Sequence, residues 1–345
     1  MSVRSFDVIV VGAGVMGSAT ARALARAGKK VALLEQFGLG HTRGSSHGRA
    51  RIFRFSYPDP LYVGMAMEAL DLWREAEREA DDALIVTTGG LDVGPNIDAN
   101  ARALQDKGAP FEMLEGRDAA RRFPAVSLPA DRTVLYHPDA GICLADRALN
   151  SFVASAQKAK AEILERRRVE RLEVSDEQAT IHAGDEVFVA PVAVVTAGAW
   201  ARGLLEPVGI DLPTRATRET VGFFAHDGET LPTLVEWGPP HIYALPSPGQ
   251  GIKAGEHIAG PTTDPDEDGS VNEESIKRVA AWVAERFPHA HPVPHHAETC
   301  LYTNTDDERF ILERHGPIVV GSPCSGHGFK FAPLIGRRLA DLATG

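Results

Sequence analysis

Gly12-Ala13-Gly14-Val15-Met16-Gly17 sets three glycines at a spacing that can hold the pyrophosphate of a dinucleotide. The first glycine permits a tight turn, the second lets backbone approach the phosphates, and the third lets a helix pack closely on a strand. Amides at the start of that helix face the phosphates. Glu35 lies eighteen residues past Gly17 (35 − 17), where a carboxylate accepts hydrogen bonds from a ribose. It repels a 2′-phosphate, which disfavours NADP, while FAD and NAD both remain open on this motif. No second such motif follows, so one dinucleotide site is expected and no separate NAD(P)H site.

Three further segments carry reactive side chains. In the first, His41-Thr42-Arg43-Gly44-Ser45-Ser46-His47-Gly48 leads to Arg49, Arg51 and Arg54. Small residues let a chain wrap closely over a ring, and arginines stack on π-faces or grip a carboxylate with two parallel hydrogen bonds. The bland alternative is a solvated basic loop. In the second, Tyr243 and Pro246-Ser247-Pro248 precede Ile252-Lys253-Ala254-Gly255-Glu256-His257. In the third, Cys300 and Tyr302 are followed by Asp306-Asp307-Glu308-Arg309-Phe310 and Ser325-Gly326-His327-Gly328-Phe329-Lys330-Phe331. A lone cysteine such as Cys300 is a small buried hydrophobe or a nucleophile, and its residue type does not decide which. Cys324, beside the Ser-Gly-His-Gly loop, competes with it.

The elements that must position these groups are readable from periodicity. Phe6 to Val11 is an apolar run of the buried parallel-strand type; Val15, Met16, Ala19, Ala23, Leu24 and Ala27 recur at helical spacing, and Gly28 ends that helix. A second strand from Lys30 to Glu35 completes a βαβ unit. A long helix is expected over Leu61 to Glu79 with Met67, Leu70, Trp73 and Ala76 inward, and Asp146 is expected to cap another carrying Leu149, Phe152, Val153 and Ala156. Val192 to Thr196 reads as a buried strand returning to the dinucleotide unit, where Gly198 and Trp200 make a close approach. Thr220 to about Gly255 reads as antiparallel strands, and Leu334, Ile335, Leu339 and Leu342 mark a terminal helix. Helix-start amides near Gly326 and Gly328 would favour negative charge on a ring placed there. His289, His291, His295 and His296 alternate with prolines without ligand spacing, so no metal site is assigned.

A chain of 345 residues suggests about two domains. Its 43% hydrophobic and 24% charged content is that of a soluble globular protein. The formal charge of −11 repels a phosphate backbone, so nucleic acid is excluded as a partner. The apolar start is too short for a signal peptide and no window reaches the ~20 residues of a membrane span. Three scattered cysteines fit reduced thiols, and a cytoplasmic location is expected.

Taken together, the glycine motif, the His47, Arg51, Arg54 spacing, the Lys253 segment, the Cys-x-Tyr-Thr pattern and the Ser-Gly-His-Gly loop resemble the monomeric sarcosine oxidase and N-methyltryptophan oxidase family of flavoproteins. The resemblance implies an α/β fold in which a Rossmann-like FAD-binding domain (1–82, 143–215 and 299–345) meets a substrate domain on an antiparallel sheet (83–142 and 216–298). It implies FAD bound by Gly12, Ala13, Gly14, Val15, Met16, Gly17, Glu35, Ser45, Ser46, His47, Arg51, Gly198, Trp200, Gly326, Gly328, Phe329 and Lys330, with Cys300 linked to the ring through a thioether. Arg54 and Lys330 then take the substrate carboxylate, Lys253 promotes the reaction with oxygen, and Tyr243 and His257 line the pocket. The implied activity is oxidation of a small-molecule secondary amine, an N-methyl or N-alkyl amino acid, by hydride transfer to flavin N5, with imine hydrolysis and reduction of O2 to H2O2 by a monomer or weak dimer. Cyclic imino acids, fructosyl amino acids, a dehydrogenase serving a protein partner and a non-catalytic flavoprotein are the alternatives. Two departures bear on pocket shape: the chain is one residue shorter between Ser247 and Lys253, and Glu256 replaces a usual aromatic.

Overall fold

The computed structural model describes residues 2–228 and 231–345. A six-stranded sheet orders Glu162–Leu164, Val31–Leu34, Val8–Val11, Val192–Val195, Ile318–Ser322 and Ile311–His315, parallel except for the final hairpin. Its central strands are apolar at every position because both faces are covered. Val8, Val10, Val31, Leu33 and Val194 face the helices Val15–Arg26, Ala145–Lys158 and Ala332–Thr344. Ile9, Val11, Ala32, Leu34, Ala193 and Val195 alternate to the other side, against Ile181 and Phe188 of a second sheet of four strands. Successive side chains of a strand point to opposite faces, so one run of valines fills two cores.

Both chain ends enter this layer. The first and last of the three helices pack so closely that a β-carbon on Gly336 would lie 2.6 Å from the Ala19 backbone. Leu334, Ile335 and Leu339 are fully buried there, and Leu342 is partly buried.

The expected long helix runs Pro60–Ala80, with Asp59 accepting the Leu61 amide at 2.8 Å and Pro60 at its first position. Its buried stripe is Val63, Ala66, Ala69, Trp73 and Ala76; Met67 and Leu70, expected inward, are only partly covered. The small alanines let neighbouring helices approach, which rotates the larger residues to the flank. Asp146 does not cap its helix. Leu144 holds that position, and the Asp146 carboxylate sits in the first turn, where it accepts the backbone N–H of Gly48.

An eight-stranded sheet orders His296–Asn304, Arg215–Phe224, Gly251–Glu256, Ile242–Ser247, Thr233–Glu236, Gly90–Val93, Thr133–His137 and Glu112–Glu115. It is antiparallel apart from the Thr233–Glu236 and Gly90–Val93 pair. The strands Arg215–Phe224 and His296–Asn304 run across the expected domain limits at 215/216 and 298/299. Helix Glu273–Arg286, capped by Asn272 through the Glu274 and Ser275 amides, covers the outer face with Val279, Trp282 and Val283. A three-stranded sheet of Ala50–Phe53, Gly141–Leu144 and Ile85–Thr87 carries Arg51 and Phe53.

Candidate active site

A single cavity of about 960 Å³ runs from the glycine turn to the inner face of the eight-stranded sheet. At one end, Gly12 has φ +97°, and a β-carbon there would meet Thr196 O at 2.7 Å. Gly14 and the residues after it line the cavity, whereas Gly17 does not. Gly17 lies against the turn, where a β-carbon would come within 1.8 Å of Gly12 O. Glu35 is buried and accepts the Ala13 and Phe37 amides, both at 2.9 Å. Burial raises its pKa, but hydrogen bonds from His41, Phe37 and Ala13 outweigh that and hold it below the usual carboxylate value. The helix start lacks a cap of its own, and the Ser46 hydroxyl accepts the Val15 amide at 3.0 Å. Gly198 and Trp200 line the same end, with Trp200 donating to Asp266 at 2.7 Å.

The 41–48 segment closes over the middle of the cavity, pinned by the Ser45 hydroxyl on Leu301 O. Arg51 reaches back along this segment, donating to Ser45 O at 2.9 Å and His47 O at 2.6 Å, with Phe329 under its guanidinium. Arg49 instead turns outward to Pro248 O. Arg49 precedes the strand Ala50–Phe53, so the loop sets its direction, while Arg51, inside the strand, enters the site. His47 is buried, its Nε2 has no partner, and burial together with Arg51 and Lys253 depresses its pKa to about 3, so it is neutral at physiological pH.

Cys300 sits mid-strand, because pairing with Arg215–Phe224 continues out to His296. It is buried at the cavity wall as a free thiol, its pKa raised by burial. Cys324 lines the same cavity, and its Sγ accepts the Thr303 amide at 3.3 Å. Lys253 is in register with Phe223, and its buried ammonium lies over that ring. Burial and Arg51 lower its pKa from 10.5 to about 8. Glu256 points the opposite way, bound by Ser275 and Arg278 on the helix side, so it takes no part in pocket shape.

At the far end, Arg54 lies between the rings of Tyr57 and Trp237 and donates to Ser56 O at 2.7 Å. Lys330 donates to Tyr57 Oη at 2.9 Å and His327 O at 2.7 Å, and burial followed by Arg54 drives its pKa well down. Tyr243, His257, Gly326, Gly328 and Phe329 line this region. Gly326 has φ +72°, and its missing side chain leaves room for the Tyr302 ring.

Several contributors escape a reading by motif. Tyr57 holds Lys330, Trp237 covers Arg54, and His241 packs edge-on against His257 with its pKa near 3 through burial. Tyr302 could have been found, because it follows Cys300 by two positions and so shares its face.

The glycine cradle, the ribose-type carboxylate, the orphaned His47 nitrogen and the arginine-clamped wall fit a flavin dinucleotide. A match to the FAD dependent oxidoreductase family extends over residues 7–342. The chain belongs to that family. FAD is therefore its cofactor. Among relatives, monomeric sarcosine oxidase of Bacillus sp. (strain B-0618) is 32% identical over 98% of this chain and 92% of its own. N-methyl-L-tryptophan oxidase of Salmonella dublin is 28% identical over 99% of this chain and 95% of its own. Among solved structures, NikD, described as an unusual amino acid oxidase essential for nikkomycin biosynthesis, superposes with a TM-score of 0.89 at 28% identity, covering 99% of this chain and 94% of that one. No helix among the described residues is long and apolar enough to cross a membrane.

Proposed function

We propose that this FAD-dependent oxidoreductase oxidises a secondary amine carrying a carboxylate, an N-methyl or N-alkyl amino acid, with oxygen as acceptor. The observation that carries the reading is the meeting of two cation pairs, Arg51 with Lys253 and Arg54 with Lys330, in the cavity that also holds Cys300. FAD supplies the two-electron acceptor, held by the glycine turn, Glu35 and the 45–51 segment and joined to Cys300. Residues 1–82, 143–215 and 299–345 act as its binding domain, and 83–142 with 216–298 as the substrate domain.

Arg54 and Lys330 grip the substrate carboxylate and thereby fix where the amine and its α-substituent lie. Burial first, and then the like charges of Arg51 and Arg54, depress the two lysines and equally disfavour an ammonium substrate, so the amine binds neutral with its lone pair free. No general base is required for that step. Lys253, close to Cys300, stabilises negative charge developing on oxygen. The imine product hydrolyses, and hydrogen peroxide is the second product. Cys143, Cys300 and Cys324 form no disulfide with one another, which fits a cytoplasmic protein, and we read it as a monomer or weak dimer.

The test is anaerobic: N-methyl amino acids, cyclic imino acids and glycated amino acids are mixed with the enzyme while flavin absorbance is followed. Bleaching by an N-methyl amino acid, followed by peroxide on admitting air, is the expected result. Bleaching by none of the N-substituted acids would remove the reading.

A further inference from the structure

Glu298 is a charged residue on the cavity side that neither the glycine motif nor the amine chemistry uses. Its Oε1 is buried with no hydrogen-bond partner, although the side chain as a whole is 24% exposed. The nearest cation is Lys253, whose Nζ stands 3.8 Å away, and the Lys253 side chain is only 5% exposed. Register explains the meeting. Lys253, Phe223 and His296 are paired across three adjacent strands, and Glu298 follows His296 by two positions, so it projects from the same face. Gly48 marks the point of convergence: a β-carbon there would lie 3.5 Å from Glu298 Oε1, 3.6 Å from Arg51 Nη1 and 3.9 Å from Lys253 Nζ.

We infer that Glu298 is the counter-ion of Lys253, a positioning residue that holds the buried ammonium in its charged form and aims it along the cavity wall. The inference rests on the oxygen-activating role proposed above for Lys253. The groups facing that ammonium are Arg51 and His47 from the covering segment, Asp146 from the helix behind it, and Cys300 and Glu298 from the strand beyond Arg215–Phe224. Arg51 opposes the charge, and Asp146 is itself engaged with the Gly48 backbone. Glu298 is thus the carboxylate with an unengaged oxygen at ion-pair distance. On its outer side, Glu298 Oε2 lies 3.7 Å from Nε2 of the half-exposed His296, so the carboxylate spans the step from solvent to the buried amine.

Wild-type enzyme, Glu298→Gln, Glu298→Asp and Lys253→Met, all flavin-loaded, are compared by NMR of 13C-labelled lysine side chains. The Lys253 signal is assigned by its loss in Lys253→Met. Removing an opposite charge at this range lowers the lysine midpoint by about 1–2 units, and Glu298→Asp recovers part of that shift. The alkaline fall in the rate of reoxidation by air moves to lower pH by the same amount, while anaerobic flavin reduction stays within about twofold. A midpoint and a pH profile both unmoved in Glu298→Gln, with Lys253→Met slow to reoxidise, overturn the counter-ion role alone. Reoxidation of Lys253→Met as fast as wild type overturns the oxygen role of Lys253, and the NMR midpoint then still decides the pairing with Glu298.

Discussion

Replacing Gly17 with alanine tests whether the glycine turn and the helix behind it form one rigid cradle. The added carbon would lie 1.8 Å from Gly12 O and 2.6 Å from Thr196 Oγ1, far inside van der Waals contact. Neither neighbour can yield easily. Gly12 is tied through its amide to Leu34 O at 2.8 Å, and Thr196 Oγ1 donates to Val11 O at 3.0 Å. The helix must therefore shift, and Gly336 against Ala19 passes the shift to the terminal helix. Overpacking of this kind costs about 3 kcal/mol or more. Alanine's better helix propensity returns about 1 kcal/mol, so the net loss is about 2 kcal/mol. With an unfolding entropy of about 2.1 cal/mol/K per residue, that corresponds to a Tm drop of roughly 3 °C. Displacing the Ala13 and Val15 amides from Glu35 and Ser46 also spoils the flavin site, so flavin content falls below half of wild type. Calorimetry and the ratio of flavin to protein absorbance measure both effects. Gly28→Ala is the control: its φ is +81° with no atom within 4 Å of the added carbon, so it costs only about 1–2 kcal/mol of strain and keeps its flavin. A Gly17→Ala enzyme with full flavin and an unchanged Tm would refute the reasoning.

Cys300→Ser is expected to release flavin into the supernatant on acid precipitation, whereas the wild-type pellet stays yellow; free flavin from wild type excludes the linkage. Lys253→Met is expected to reduce normally without oxygen but to reoxidise about 10²-fold more slowly, measured by stopped flow. The same substitution has a pH-dependent effect on stability. Lys253 titrates at about 8 when folded and near 10.5 when unfolded, so between those values the unfolded chain binds more protons and stability rises with pH. Stability attributable to this residue is present above pH 10.5 and lost as pH falls through 8. Lys253→Met should therefore be more stable than wild type at pH 7, by up to about 3 kcal/mol, with the gain gone near pH 10.5; urea titrations at both pH values check this. Arg54→Met is expected to raise the KM of a carboxylate-bearing amine at least tenfold while leaving flavin content intact.

The parts of the fold that obey a local rule were legible. Val8–Val11 and Val192–Val195 announce themselves as continuous apolar runs, and the helix expected over Leu61 to Glu79 extends one residue farther at each end, Pro60–Ala80. Asp146 was misread because a carboxylate near a helix start has more than one amide to choose from, and the Gly48 loop is 98 residues away in the chain (146 − 48). The parallel pairing of Thr233–Glu236 with Gly90–Val93 was hidden for the same reason. In the site, His47, Arg51 and Lys253 could be named through the family resemblance, yet Trp237 over Arg54 and Tyr57 on Lys330 arise only when distant segments meet. The opposite directions of Arg51 and Arg49 were not legible, because residues two apart on a strand share a face and only the turn into Ala50–Phe53 separates them. Glu256 misled because neighbouring strand positions look in opposite directions, and only the register shows which one meets the helix.

The central sheet is completed by Ile318–Ser322, and its helix layer by Ala332–Thr344. A ribosome making this polypeptide delivers the nucleotide-binding turn about three hundred residues before the strand that completes its sheet (318 − 12 = 306). Cofactor capture must then wait until that strand and the helix after it have emerged.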